Sequence, residues 1–91
     1  MPELFLKFMD INGQEQRVPV DKVKFAVGRH SANDLPIADG RLSREHLLIE
    51  RFGDVFVVSD CGSSNGSKLN GEALTAPAAI TENCRLDLGG F

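Results

Sequence analysis

Apolar and polar residues alternate along much of this chain with a period near two, the spacing that places side chains on opposite faces of a β-strand. Leu4-Phe5-Leu6-Lys7-Phe8 is a short β-rich run followed by the turn signal Asn12-Gly13. Gln16–Val20 and Val23–Val27 repeat the alternation, and His46–Arg51 and Asp54–Ser59 flank Phe52-Gly53, which reads as a tight hairpin. Ser67-Lys68-Leu69 leads into a second hairpin pair, Asn70-Gly71, and Cys84–Leu88 alternates once more. No window sustains the apolar stripe of an amphipathic helix over several turns, so no long helix is predicted. Many short strands at close spacing predict an all-β fold, a sandwich of two mostly antiparallel sheets. Leu47, Ile49, Val55, Val57 and Leu86 are the strand residues assigned to its core.

At 91 residues the chain holds one small domain with a thin core. Its 42% apolar and 25% charged residues are those of a globular chain, not a disordered one. The longest apolar runs, such as Val55-Phe56-Val57-Val58, fall far short of the roughly 20 residues of a membrane helix. Met1-Pro2-Glu3-Leu4-Phe5 lacks the basic and apolar regions of a secretory signal. The formal charge is −3, and the basic residues are scattered without a dense run. That balance argues against nucleic-acid and anionic-membrane binding, yet leaves room for a site for one phosphate, where a few cations suffice. Cys61 and Cys84 do not make a disulfide scaffold, so the reading is a cytoplasmic domain with reduced thiols.

Three polar segments interrupt the strands: Gly28–Asp34, Asp39–His46 and Asp60–Ser67. Each is rich in donors, namely guanidinium, hydroxyl and amide groups and the backbone N–H groups that glycine turns expose. Connections of a sandwich gather at its ends, so these loops can converge, and arginine forks, hydroxyls and amides are what binds a phosphate dianion. Ser43, His46 and Asp60 do not make a hydrolytic triad, since no nucleophile elbow accompanies them. His30, His46, Cys61 and Cys84 lack the paired close spacing of a zinc site. The expectation is therefore binding without catalysis, metal or cofactor.

The order and spacing of these residues resemble the forkhead-associated (FHA) domain, a β-sandwich that binds phosphothreonine peptides. Phe25-Ala26-Val27-Gly28-Arg29 looks like the family's strand ending in Gly-Arg. Asn33-Asp34-Leu35-Pro36-Ile37-Ala38-Asp39 with Ser43-Arg44-Glu45-His46 is similar to its second signature, and Asp60–Ser67 followed by Asn70-Gly71 to its third. The three pieces run from about residue 25 to 71.

The resemblance implies roles. Arg29, Ser43, Arg44, Ser64 and Asn65 would hold the phosphopeptide, with Asn65 on its main chain. Arg41 and Lys68 would reach flanking residues. Gly28, His46, Gly66 and Asn70 would support the site, and Cys61 would be a small buried hydrophobe. Ser64 and Ser67 stand where the family more often has threonine. A segment like Asp87-Leu88-Gly89-Gly90 is normally followed by a closing strand, which this chain lacks, so residues 1–91 are read as part of a longer protein. The open edge would invite dimerisation. The implied partner is a threonine-phosphorylated protein or peptide, with a Ser/Thr kinase upstream. The alternative is a phosphate-independent scaffold that uses a sheet face or edge strand, and substitution of Arg29 or Ser43 separates the two.

Overall fold

The computed structural model describes residues 3–10, 12–80 and 83–91, and these form ten strands and no helix. In chain order they are β1 Phe5–Met9, β2 Glu15–Pro19, β3 Lys24–Gly28, β4 Leu35–Pro36, β5 Leu47–Phe52, β6 Val55–Asp60, β7 Ser67–Leu69, β8 Glu72–Ala73, β9 Ala78–Ile80 and β10 Leu86–Leu88. Seven match runs expected from alternation; β4, β8 and β9 are only two or three residues long and carry too little pattern to be read.

One layer is a five-stranded sheet in the order β4-β3-β5-β6-β9, and the other comprises the pair β1-β2 and the trio β10-β7-β8. All pairings are antiparallel except β3 with β4, where Val27 lies beside Leu35 and Gly28 beside Pro36. The hairpins follow local chemistry. Asn70 and Gly71 both have positive φ, 52° and 86°, the two left-handed positions that a type I′ turn requires, and they join Leu69 directly to Glu72. Phe52 pairs with Val55, so the β5–β6 turn is Gly53-Asp54, one residue later than expected.

Phe25, Val27, Leu47, Ile49, Phe56, Val58 and Leu88 form the centre of the core, with Leu42 inserted from the loop before β5. This corrects the expected face of β6: Val55 is 41% exposed, whereas Phe56 and Val58 are buried. Antiparallel partners share a face, and the register sets Val58 against buried Ile49 but Val57 against Glu50. The four-residue apolar run of β6 could satisfy either face by itself. Beyond β10 the chain turns at Gly89-Gly90 and reaches Phe91, leaving β10 at the edge of its sheet.

Candidate functional site

The three polar segments meet at one end of the five-stranded sheet. Gly28 closes β3, and a β-carbon there would run into the carbonyl oxygen of Arg44 and come within 2.9 Å of Asn33 Nδ2. Only glycine permits this approach, and it lets the two loops interlock. The Arg29 N–H donates to Ser43 O at 2.9 Å and the His30 N–H to Arg44 O at 3.2 Å. Asn33, buried, locks the junction: its Nδ2 donates to His30 O at 2.8 Å and to Arg44 O at 2.6 Å. Asn33 was legible only as part of a motif; its bracing role depends on carbonyls from two other loops.

His46 lies wholly buried beneath the loops. Its Nδ1 accepts the Ser43 N–H at 3.0 Å, so the ring proton sits on Nε2, which donates to Gly66 O at 2.9 Å. The ring thus ties the second loop to the third. A second tie is direct, from Ser64 N–H to Ser43 Oγ at 2.9 Å. Below the third loop, Asp60 accepts the hydroxyls of Ser63 and Ser67 and the Ser63 N–H. Burial by itself would raise its pKa, but these hydrogen bonds, aided by nearby His46, outweigh burial and hold the carboxyl below its ordinary range. Ser63 and Ser67 are therefore braces.

The result is an open cavity of about 680 Å³ lined by Arg29, Ser43, Arg44 and Ser64, together with His30 and Glu45. The Ser43 hydroxyl, already an acceptor, keeps its proton to donate. The Arg29 Nε–H reaches Leu42 O at 3.3 Å, which orients its guanidinium at the rim. The Arg44 side chain is exposed, with no hydrogen bond or ion pair among the described residues. Guanidinium groups and hydroxyls facing one open space can bind an anion of high charge density.

Not every expected residue lines this cavity. Asn65 is exposed beside it, its Nδ2 donating to Arg41 O at 2.9 Å and its Oδ1 left to accept. Arg41 is engaged elsewhere: its guanidinium grips both carboxylate oxygens of Asp39, at 3.0 and 2.8 Å, and Gly90 O at 2.8 Å. The hydrogen bond to Arg41 holds the Asp39 pKa down at about 2. Lys68 projects from β7 opposite Asp87, outside the cavity. Asn70 does not line the cavity; it exchanges bonds with Arg85 through its N–H and Oδ1. Gly66 has φ 77° and offers its carbonyl to both His46 and the Gly89 N–H. Cys61 is exposed, contrary to the expected buried hydrophobe, because Asp60 ends β6 and the chain then leaves the sheet. Among the described residues no group of His, Cys, Asp and Glu converges as a metal site.

The FHA domain family model matches residues 25–89, which spans the three interlocked loops and the strands from β3 to β10, with β1 and β2 outside it. This chain belongs to the FHA family. Over 75 residues it is 32% identical to an oxoglutarate dehydrogenase inhibitor of Corynebacterium jeikeium, covering 82% of this chain and 51% of that protein. It is 40% identical over 48 residues to an FHA domain-containing protein of Arabidopsis thaliana, covering 53% of this chain and 12% of that one. The chain thus spans about half the length of the first relative and much less of the second. An FHA domain from Chlamydia trachomatis superposes with a TM-score of 0.87 at 23% identity, covering 98% of this chain and 91% of that one. Another FHA domain, solved with a phosphothreonine peptide, has a TM-score of 0.71 at 28% identity and covers 80% of each chain. The FHA family is one of binding modules, not enzymes. No helix among the described residues is long and apolar enough to cross a membrane.

Proposed function

We propose that this FHA domain binds phosphothreonine peptides through Arg29, Ser43, Arg44 and Ser64, with Asn65 Oδ1 accepting from the peptide main chain. The observation that carries this reading is the pairing of the second and third loops by Ser64 N–H and Ser43 Oγ, which sets both hydroxyls and two arginines around one cavity. The solved relative bound to a phosphothreonine peptide supports it. A phosphothreonine brings about −1.5 to −2 charges and three acceptor oxygens, which match this donor set. Charge-assisted hydrogen bonds contribute about 1.5–3 kcal/mol each, offset by desolvation and ordering of the peptide. The balance corresponds to micromolar affinity, about −8 kcal/mol. An unphosphorylated peptide offers the arginines no dianion, so a Ser/Thr kinase switches binding on and a phosphatase switches it off. Two free, exposed cysteines support a reducing, cytoplasmic setting.

The test is fluorescence anisotropy against degenerate phosphothreonine, phosphoserine and unphosphorylated peptide libraries, with Arg29→Ala alongside. Phosphothreonine-selective binding that disappears in the variant is the expected result. Equal binding to all libraries, or none by a folded sample, moves the assignment to a phosphate-independent scaffold.

A further inference from the structure

The phosphate cavity carries one carboxylate. Glu45 lines it together with Arg29, Arg44 and His30, the other ionisable side chains of its wall. Glu45 is exposed and, among the described residues, makes no hydrogen bond or ion pair, although two guanidinium groups share its cavity. A carboxylate that is not spent on the arginines beside it stays free to act on whatever enters.

The backbone fixes where this side chain starts. Arg44 O accepts the His30 N–H at 3.2 Å and Asn33 Nδ2 at 2.6 Å, and the His46 N–H donates to Val27 O at 2.9 Å. The peptide groups on both sides of Glu45 are thus tied to the first loop and β3. Its charge also reaches Cys61, whose thiol pKa is pushed up by burial first and then by Asp60 and Glu45. Cys61 adjoins Gly62, so the carboxylate lies on the Gly62 side of the cavity wall.

The charges do not balance around a bound phosphate. Arg29 and Arg44 bring two positive charges, which a phosphate of about −1.5 to −2 fills by itself. Glu45 takes one of them back, leaving an excess of about half to one negative charge. His30 does not supply it: with Nδ1 accepting the Ala32 N–H at 3.0 Å, its ring is neutral and adds a donor only. The missing cation therefore comes from the ligand.

We infer that this domain selects phosphothreonine peptides carrying a lysine or arginine close to the phosphothreonine, and that Glu45 reads that cation. The inference rests on the phosphopeptide reading of the cavity. A cavity of about 680 Å³ is on the order of 9 Å across, or two to three residues of extended chain at about 3.3 Å each. The cation thus sits within about two residues of the phosphothreonine. The pair it makes with Glu45 is exposed and screened by salt, so it gives selectivity more than affinity.

The test is fluorescence anisotropy of the 91-residue chain with capped, labelled alanine heptapeptides that hold a central phosphothreonine. Lys, Ala or Glu occupies each of the two positions on either side in turn. Lys at one of these positions should bind about twofold to fivefold more tightly than Ala and Glu more weakly, with the spread shrinking at high salt. Glu45→Gln should abolish the spread and tighten the Ala peptide, and Glu45→Lys should reverse the preference toward Glu. Glu72→Gln, an exposed change of the same charge outside the cavity, should leave the spread intact. Phosphothreonine binding with no Lys preference at any of these positions overturns the inference and leaves the phosphopeptide reading standing. A preference that survives Glu45→Gln, or that Glu72→Gln erases equally, does the same, since net charge alone then explains it. Failure of the folded chain to bind any of these peptides overturns the phosphopeptide reading and this inference with it.

Discussion

His46 Nδ1 accepts the backbone N–H of Ser43 at 3.0 Å, so the residue proposed to hold the phosphate is positioned by a side chain that never meets it. Replacement of His46 by Ala leaves the Ser43 N–H without its partner, leaves the Gly66 carbonyl with the Gly89 N–H alone, and opens a void in a fully buried position. The expected cost is roughly 3 kcal/mol, the sum of a cavity and one unsatisfied donor. Urea unfolding measures it, and phosphopeptide affinity should fall as well.

Ser43→Ala separates binding from folding. It removes one acceptor for the Ser64 N–H at the exposed rim, which should cost about 1 kcal/mol of stability. Phosphopeptide affinity should fall by about tenfold to a hundredfold, the value of one charge-assisted bond. Titration calorimetry beside a melt of the same variant reads both quantities, and unchanged affinity would remove Ser43 from the phosphate site.

Two glycines make opposite predictions. Gly28→Ala forces a β-carbon against the Arg44 carbonyl, a backbone atom that cannot swing away, and should destabilise by about 1–3 kcal/mol. At Gly40 nothing lies within 4 Å of an added β-carbon and no positive φ is required, so Gly40→Ala should be neutral or stabilise by up to about 1 kcal/mol. Denaturant midpoints of the two variants decide.

Asp39 gives a pH signature. Its pKa is depressed to about 2 by Arg41, so its contribution to stability is fully present above the unfolded carboxyl value, near 4. The contribution declines as pH falls below 4 and is gone once pH has passed below about 2. Melting temperatures of the natural chain and of Asp39→Asn should differ at pH 6 and converge toward pH 2. A gap that does not change with pH would show that the Asp39 charge adds nothing.

Phosphopeptide binding has its own dependence, higher on the scale. The second phosphate ionisation lies near pH 6, so affinity should drop as pH falls through that value while the domain stays folded. Anisotropy at pH 7.5 and 5.5, with circular dichroism at both, separates ligand protonation from unfolding.

What could be read without the fold was whatever depends on neighbours in the chain. Asn70-Gly71 announces a turn because both residues tolerate positive φ, and both adopt it. Alternation located β1, β2, β3, β5, β6, β7 and β10, and the three polar segments in order located the loops that enclose the cavity. Partnership across the chain decided the rest. The register against β5 chose Val58 over Val57 for the core, and a carboxylate beneath the third loop made Ser63 and Ser67 braces while Ser64 stayed at the rim. Arg41 looks like Arg29 and Arg44 as a string of letters, yet Asp39 and the Gly90 carbonyl hold it on the other side of the loop. A backbone dihedral is governed within one or two residues, whereas the face of a strand and the partner of a donor are set by whichever groups the fold brings close, three and seven positions away for the serines on Asp60 and 49 for Arg41 on Gly90.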